Sequence, residues 1–255
     1  MPLVQRAGRG IRLTEAGRLL ADRAEEILGR IDSARTELAA HAGLSAGRVR
    51  LAAFPSALAT VVPAVVAAFS AAHPDIELAL TEAEPPEALA ALRRGEADVA
   101  LTFRHGDGPP GDREGHIVTP VLREPVYIVS RAGESWPGPR TDLDTYRGQR
   151  WIAGCERCRT HLLSACGKRG FTPAIAFETD DYVAAQALLA AGLGVSTLPG
   201  LALRAHLHPG VRIDRLPDDH RFVDAVVYGA PPLPAPVEAF LEVLEETDVE
   251  PAQWP

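Results

Sequence analysis

The chain has 255 residues, 46% of them hydrophobic and 24% charged, and a net charge of −8, which bounds it to two modest domains or one large one around a buried core. No run of 18 apolar residues occurs, so a membrane span is excluded, and "MPLVQRAGRG" reaches its arginines without the apolar segment of a secretory signal, which points to the cytoplasm. Three cysteines, all between Cys155 and Cys166, exclude an extracellular disulfide framework.

Charge is unevenly spread. Residues 1–50 hold nine arginines against six acids, a net of +3 that leaves −11 for the rest. A basic front end on an acidic body is the asymmetry of a tip that contacts a polyanion. The stretch from Arg6 to Arg12 reads as a tight hairpin, with Gly8 and Gly10 free to take positive φ. Thr14 then stands at an N-cap position, with Glu15 in the first helical turn. Leu20, Ala24, Ile27, Ile31, Ala34 and Leu38 follow at alternating spacings of four and three, a heptad seam on an otherwise polar helix. A rod of about 27 residues is about 40 Å long. One narrow apolar stripe on such a rod is best buried against a second copy, so a dimerisation helix is expected. "HAGLSAG", with Gly43 and Gly47, ends it.

From Arg48 the pattern becomes alternating strands and helices. "VRLAAF", "IELALTE" and "ADVALTF" read as strands, separated by helices over "PSALATVVPAVVAAFSAAHP" and "PPEALAALRRG". A Gly/Pro-rich surface stretch follows, then the strand "PVLREPVYIVS" and a loop with a short helix in "SWPGPRTDLDTYRGQ". The rhythm restarts with strands "RWIAGC", "AIAFET" and "GVSTLP" and helices "RTHLLSACGKRGF" and "DDYVAAQALLAAG". Late in the chain come a strand, "FVDAVVYG", and an amphipathic helix, "APVEAFLEVLEE", with Leu241 and Leu244 inward. If that helix returns to the first block, the chain crosses twice between two lobes and leaves a hinged cleft.

"GRGIRLTEAGRLLADRAEEIL" resembles the wing and linker helix of LysR-type transcriptional regulators. "HPDIELALTEAEPPEALAALRRGEADVALTF" and "AAQALLAAGLGVSTLPGLAL" resemble the two lobes of their effector-binding domain. The resemblance covers nearly the whole chain in order. It implies an α/β fold: a bilobal, type 2 periplasmic-binding-protein-like effector domain of two Rossmann-like lobes, preceded by a long linker helix and a remnant of a winged helix-turn-helix. The expected division is 1–13 for the wing, 14–44 for the linker, 47–124 with 225–250 for lobe I, and 125–224 for lobe II.

Family members begin with a helix-turn-helix ahead of the wing. Met1 stands where they often carry Val or Thr before "PLVQR", so a start site further upstream is expected, with a true deletion as the alternative. By resemblance, Arg6, Arg9 and Arg12 touch phosphates beside a recognition helix; such contacts position a protein on DNA without choosing sequence. Leu20, Ile27, Ile31 and Leu38 would carry a homodimer or homotetramer.

The lobe cleft is the expected ligand site. Pro55 and Ser56 stand where a strand meets a helix, so the Ser56 hydroxyl and the free N–H groups there can hold a carboxylate or other anion, with a plain N-cap as the alternative for Ser56, and the resemblance supports a ligand contact at that position. Glu84, Thr102 and Phe103 end neighbouring strands and face the same cleft. Across it, Arg157, Arg159 and Thr160 in "GCERCRTHLL" could clamp an anion or simply face solvent. Cys155-x-x-Cys158, with His161 and Cys166, is compatible with zinc or a redox pair, but the donors crowd one helix and read better as packing residues. Asp180–Asp181 read as a helix cap. No metal site, cofactor or catalytic motif is expected. Two rival readings stay open: a stand-alone solute-binding protein of the same bilobal fold, and a cysteine-dependent enzyme or redox sensor.

Overall fold

A computed structural model describes residues 1–8, 10–41, 47–106 and 115–248. Strand β1 (Val4–Ala7) pairs antiparallel with β2 (Gly10–Leu13), Val4 opposite Leu13. Gly8 makes the turn at φ +62°, a left-handed conformation that glycine adopts without a Cβ clash. Arg9 of the expected wing lies outside the described residues, as does Gly43 of the expected stop signal. Thr14 caps the next helix as expected: its Oγ1 accepts from the Gly17 amide at 3.0 Å and donates to the Pro2 carbonyl at 2.9 Å, which ties hairpin to helix.

Helix α1 (Glu15–His41) is the expected 27-residue rod. Leu20, Ile27, Ile31 and Leu38 are 52%, 59%, 53% and 70% exposed, so the stripe faces away from the body. The rod meets the body on roughly the opposite side, through Gly29, which lies against the Arg94 carbonyl and Gly95 with no room for a Cβ.

Lobe I is built on the parallel strands β3 (Arg48–Ala53), β4 (Glu77–Glu82) and β5 (Val99–His105). The single helix expected between β3 and β4 is two, α2 (Pro55–Leu58) and α3 (Val61–Ala72). Pro63 explains the break. It has no N–H, and in a continuous helix its ring would collide with the Ala59 carbonyl, so the helix restarts with Pro63 in its first turn. Helix α4 (Pro85–Arg93) joins β4 to β5.

Two long strands follow the lobe I repeat and close it: β6 (His116–Arg131) and β10 (Val211–Tyr228). Between them in sequence lie β7 (Arg150–Ala153), α5 (Glu156–Gly167), β8 (Ala174–Glu178), α6 (Tyr182–Ala190), β9 (Val195–Pro199) and α7 (Gly200–Ala205). A short 3-10 helix at Leu143–Tyr146 precedes β7, inside the expected loop. All the strands after β2 form one eight-stranded sheet in the order β4-β3-β5-β10-β6-β9-β7-β8. β6 and β10 run antiparallel to each other along nearly their whole length and serve both halves: β5 pairs with the later part of β10, and β9 with the later part of β6. They are the two crossings between lobes. Their register slips between Arg215 and His220, where Asp218 takes φ 58°.

Helix α8 (Ala235–Glu246) returns to lobe I. Leu244 points inward as expected and Leu241 is half-buried; Val237 and Phe240 are buried beside Leu244, and the Phe240 ring meets Phe69 at 5.3 Å. No helix among the described residues is long and apolar enough to cross a membrane.

The glycine contact makes a sharp expectation. Gly29→Ala pushes α1 off the end of α4 and costs about 1–3 kcal/mol, as overpacking of a close contact does. A thermal melt together with hydrogen exchange should show the loss, with faster exchange in α1 and at the end of α4.

Candidate functional site

The point where the crossing strands meet lobe I buries an ion pair. Arg221 of β10 and Glu124 of β6 stand opposite each other in register and are 1% and 0% exposed. Arg221 Nε donates to Glu124 Oε1 at 2.6 Å, and its Nη2 donates to Ser56 Oγ at 2.8 Å. Glu124 Oε2 accepts from the Leu201 amide at 2.6 Å, at the start of α7. The guanidinium also lies over the rings of Phe54 and Phe103, at 4.9 and 4.6 Å from their centroids. Burial alone would favour a neutral guanidine. Burial is the largest single influence, but Glu124, Tyr182 and Cys158 together outweigh it, and the net shift of Arg221 is upward.

Other polar groups gather around this cation from both lobes. The Tyr182 hydroxyl, at the start of α6, is pushed up to about 12 by burial, against the opposing pull of Arg221 and Ser56. Glu84 is the N-cap residue of α4, and burial holds its carboxyl above the usual range, against the lowering effect of the nearby Cys155 side chain. Its Oε2 is buried without a hydrogen-bond partner among the described residues. Cys155 caps α5 and its Sγ lies 3.0 Å from that of Cys158. Because Cys155 donates to Cys158, its own thiol is shifted up and the Cys158 thiol down; Arg221 adds to the latter. Both sulfurs pack against the core of lobe I, so this part of lobe II is seated on it. Cys166 lies apart, in the core of lobe II, its thiol pushed up to about 11 by burial.

The expected site residues divide accordingly. Pro55 opens α2, Ser56 is fully buried on Arg221, and Phe103 meets Phe54 edge-on at 5.0 Å. Thr102 is buried in β5, its hydroxyl without a partner among the described residues. Arg157 reaches to 5.8 Å from the Phe103 ring. Arg159 is drawn away to Glu178 at 2.8 Å, and Thr160 is exposed. An anion was expected at the free amides beside Ser56. The Ala57 and Leu58 amides are taken by the Phe54 carbonyl, and α2 is four residues long, so the polar groups there are the Ser56 hydroxyl and Arg221. Asp181 caps α6 as expected, accepting from the Val183 and Ala184 amides.

The lobes meet closely at this point, with Arg221 filling the space between Ser56 and Glu124. A groove of ≈ 440 Å³ lies elsewhere, between Pro120 and Leu122 of β6 and Leu241 and Leu244 of α8. Sequence reasoning missed Arg221, Glu124 and Tyr182. The available signal was a pair of charged residues inside each of two otherwise apolar strands, in "VLREPVYIV" and "HRFVDAVV".

Residues 42–248 match the family model for the LysR substrate binding domain. The chain belongs to the LysR family. It is similar to the transcriptional dual regulator GltC of Bacillus subtilis, 27% identical over 202 residues, which are 77% of this chain and 65% of GltC. The chain thus spans about two thirds of that relative's length. Its fold is that of CbnR, a LysR family transcriptional regulator (TM-score 0.62, 21% identity, 92% of this chain and 81% of CbnR). It is also that of the BenM effector binding domain with its effector benzoate (TM-score 0.63, 17% identity, 78% of this chain and 90% of that domain).

Two outcomes follow from the buried charges of this LysR domain. Glu124→Ala leaves Arg221 buried and unpaired, which costs about 3–5 kcal/mol and lowers the urea midpoint accordingly. Glu84 has its folded pKa raised above the ordinary 4.5, so the folded state binds more protons than the unfolded one as pH rises above that value. Its contribution is therefore lost with rising pH. In melts from about pH 4.5 to about pH 7.5, Glu84→Gln should gain in Tm over the unsubstituted chain as pH rises.

Proposed function

We propose that this chain is the sensing portion of a LysR-type transcriptional regulator controlled by a small-molecule effector. The match of residues 42–248 to the LysR substrate binding domain carries this reading. Residues 1–13 are the wing of a winged helix-turn-helix and 14–44 the linker. Residues 47–124 with 225–250 are lobe I, and 125–224 are lobe II. The effector is a small carboxylate, received by the Ser56 hydroxyl and the Arg221 guanidinium with Arg157 at the rim. The 2.8 Å Ser56–Arg221 bond supports this placement, since a carboxylate satisfies both donors at once. The likeness to the BenM domain, whose effector is benzoate, supports the chemical class.

Function is binding, not turnover. The effector favours one degree of lobe closure over another and so changes how subunits pack. Leu20, Ile27, Ile31 and Leu38 form the contact with a second copy, in a homodimer or homotetramer; their exposure along one side of the rod supports this. Arg6, Arg9 and Arg12 contact DNA phosphates, adding affinity that falls with salt. The regulator acts in the cytoplasm, where the DNA is.

A thermal-shift screen of small organic acids, benzoate included, tests the site. A hit raises the Tm of the unsubstituted chain, Ser56→Ala abolishes the rise, and Arg159→Ala, already committed to Glu178, leaves it intact. A rise unchanged in Ser56→Ala removes Ser56 from the site. Sedimentation tests the rod: the chain is a dimer or larger, and Ile27→Asp with Ile31→Asp shifts it to monomer.

A further inference from the structure

We propose that His105, His161 and Asp219 form a binding site for a divalent transition-metal ion that ties the two lobes together. The three come from separate elements. His105 is the last residue of β5 in lobe I, His161 lies in the second turn of α5 in lobe II, and Asp219 sits in the slipped part of β10 between them. One donor atom from each lies within 4.8 Å of the other two.

Each residue shows a feature that a metal would explain. The His161 Nε2 lies 2.9 and 3.0 Å from the two Asp219 oxygens, so a ring nitrogen from lobe II and a carboxylate from β10 already meet at one point. The His105 ring stacks on that of His161, centroids 4.1 Å apart and planes 10° from parallel. Both ring nitrogens of His105 are buried and neither has a hydrogen-bond partner among the described residues. A buried imidazole normally satisfies at least one of them, at a cost of about 1–3 kcal/mol when it does not. Burial, and then the charges of His161, Arg221 and Arg157, keep His105 neutral, which is the form that ligates.

The surrounding charges act on a cation in both directions: Arg221 and Arg157 oppose it as they oppose a proton on His105, while Asp219 attracts it. Arg221, opposite His105 in register, has its charge met by Glu124, Arg157 is exposed to solvent, and Asp219 adds a negative charge at the site itself. Metal–nitrogen and metal–oxygen bonds of about 2.0–2.2 Å at the tetrahedral angle hold ligand atoms about 3.4 Å apart, so the 2.9 Å His161–Asp219 pair must open slightly, and the parallel stacked rings do not yet aim at one ion. The rings must therefore rotate out of their stack until their lone pairs converge, with water completing the shell. Two imidazoles and one carboxylate suit zinc, nickel, cobalt or copper(II) rather than magnesium or calcium. A filled site would join lobe I to lobe II without touching Ser56, so it would favour closure independently of an effector.

The test uses the chain stripped with EDTA and titrated with zinc chloride, followed by calorimetry and by metal analysis after gel filtration. The expected result is one zinc per chain, accompanied by a rise in Tm. His105→Phe removes the unpartnered nitrogens, keeps an aromatic ring of similar size, and weakens zinc binding by at least about tenfold. Asp219→Asn also weakens it, while the double variant Cys155→Ser, Cys158→Ser retains it. With cobalt(II), the visible spectrum should be that of a nitrogen–oxygen site with no thiolate charge-transfer band. Failure of the unsubstituted chain to retain zinc overturns the proposal. So does binding that survives His105→Phe or disappears with the cysteines, since the ion then sits elsewhere.

Discussion

A single buried guanidinium organises the junction of this molecule. Arg221 sits where the two crossing strands meet lobe I and holds three parts of the chain at once: Glu124 on the other crossing strand, Ser56 at the start of α2, and, through the far oxygen of Glu124, the first turn of α7. A buried ion pair is a poor source of net stability, because desolvation offsets most of the attraction. What it supplies is position. The charges find their partners in one arrangement only, so the pair sets the relation of the crossing strands to α2 and α7 more sharply than apolar packing would. A site that must distinguish a bound from an empty state gains from a group that is costly to leave unpaired.

Much of the architecture could be read along the chain, because it rests on short-range pattern. Apolar strands alternating with capped helices gave the parallel units, and Thr14, Asp181 and the spacing from Leu20 to Leu38 gave the caps and the rod. The readings fell short where the pattern was mixed. The early half of β10, "VRIDRLPDDH", alternates poorly and carries a proline and three aspartates, so only its apolar second half was legible as a strand. Helix α7 is six residues long and buried over its first four, which leaves no amphipathic period to detect. Pro63 is plain in the sequence, and its missing N–H accounts for the break between α2 and α3.

The candidate site was legible only in part, for a reason of distance. Ser56, Glu84 and Arg157 stand at strand–helix junctions, which a βα rhythm locates, and Phe103 lies in an apolar strand that the same rhythm marks. Arg221 and Glu124 are 97 residues apart and belong to no motif; their meeting depends on the register of two long strands. The same holds for His105, His161 and Asp219. A scan for metal ligands in the sequence stopped at the clustered cysteines, whereas the donors that converge are scattered over three elements.

Helix α4 has a mechanical consequence. It carries Glu84 at its start, beside Cys155, and just past its end it presents the backbone of Arg94 and Gly95 to Gly29 of the rod. Nine residues at about 1.5 Å each make it a strut of roughly 13 Å. No slack loop intervenes between the two ends, so whatever displaces one end displaces the other. The long rod then acts as a pointer, turning a small tilt at its pivot into a larger sweep at its tip.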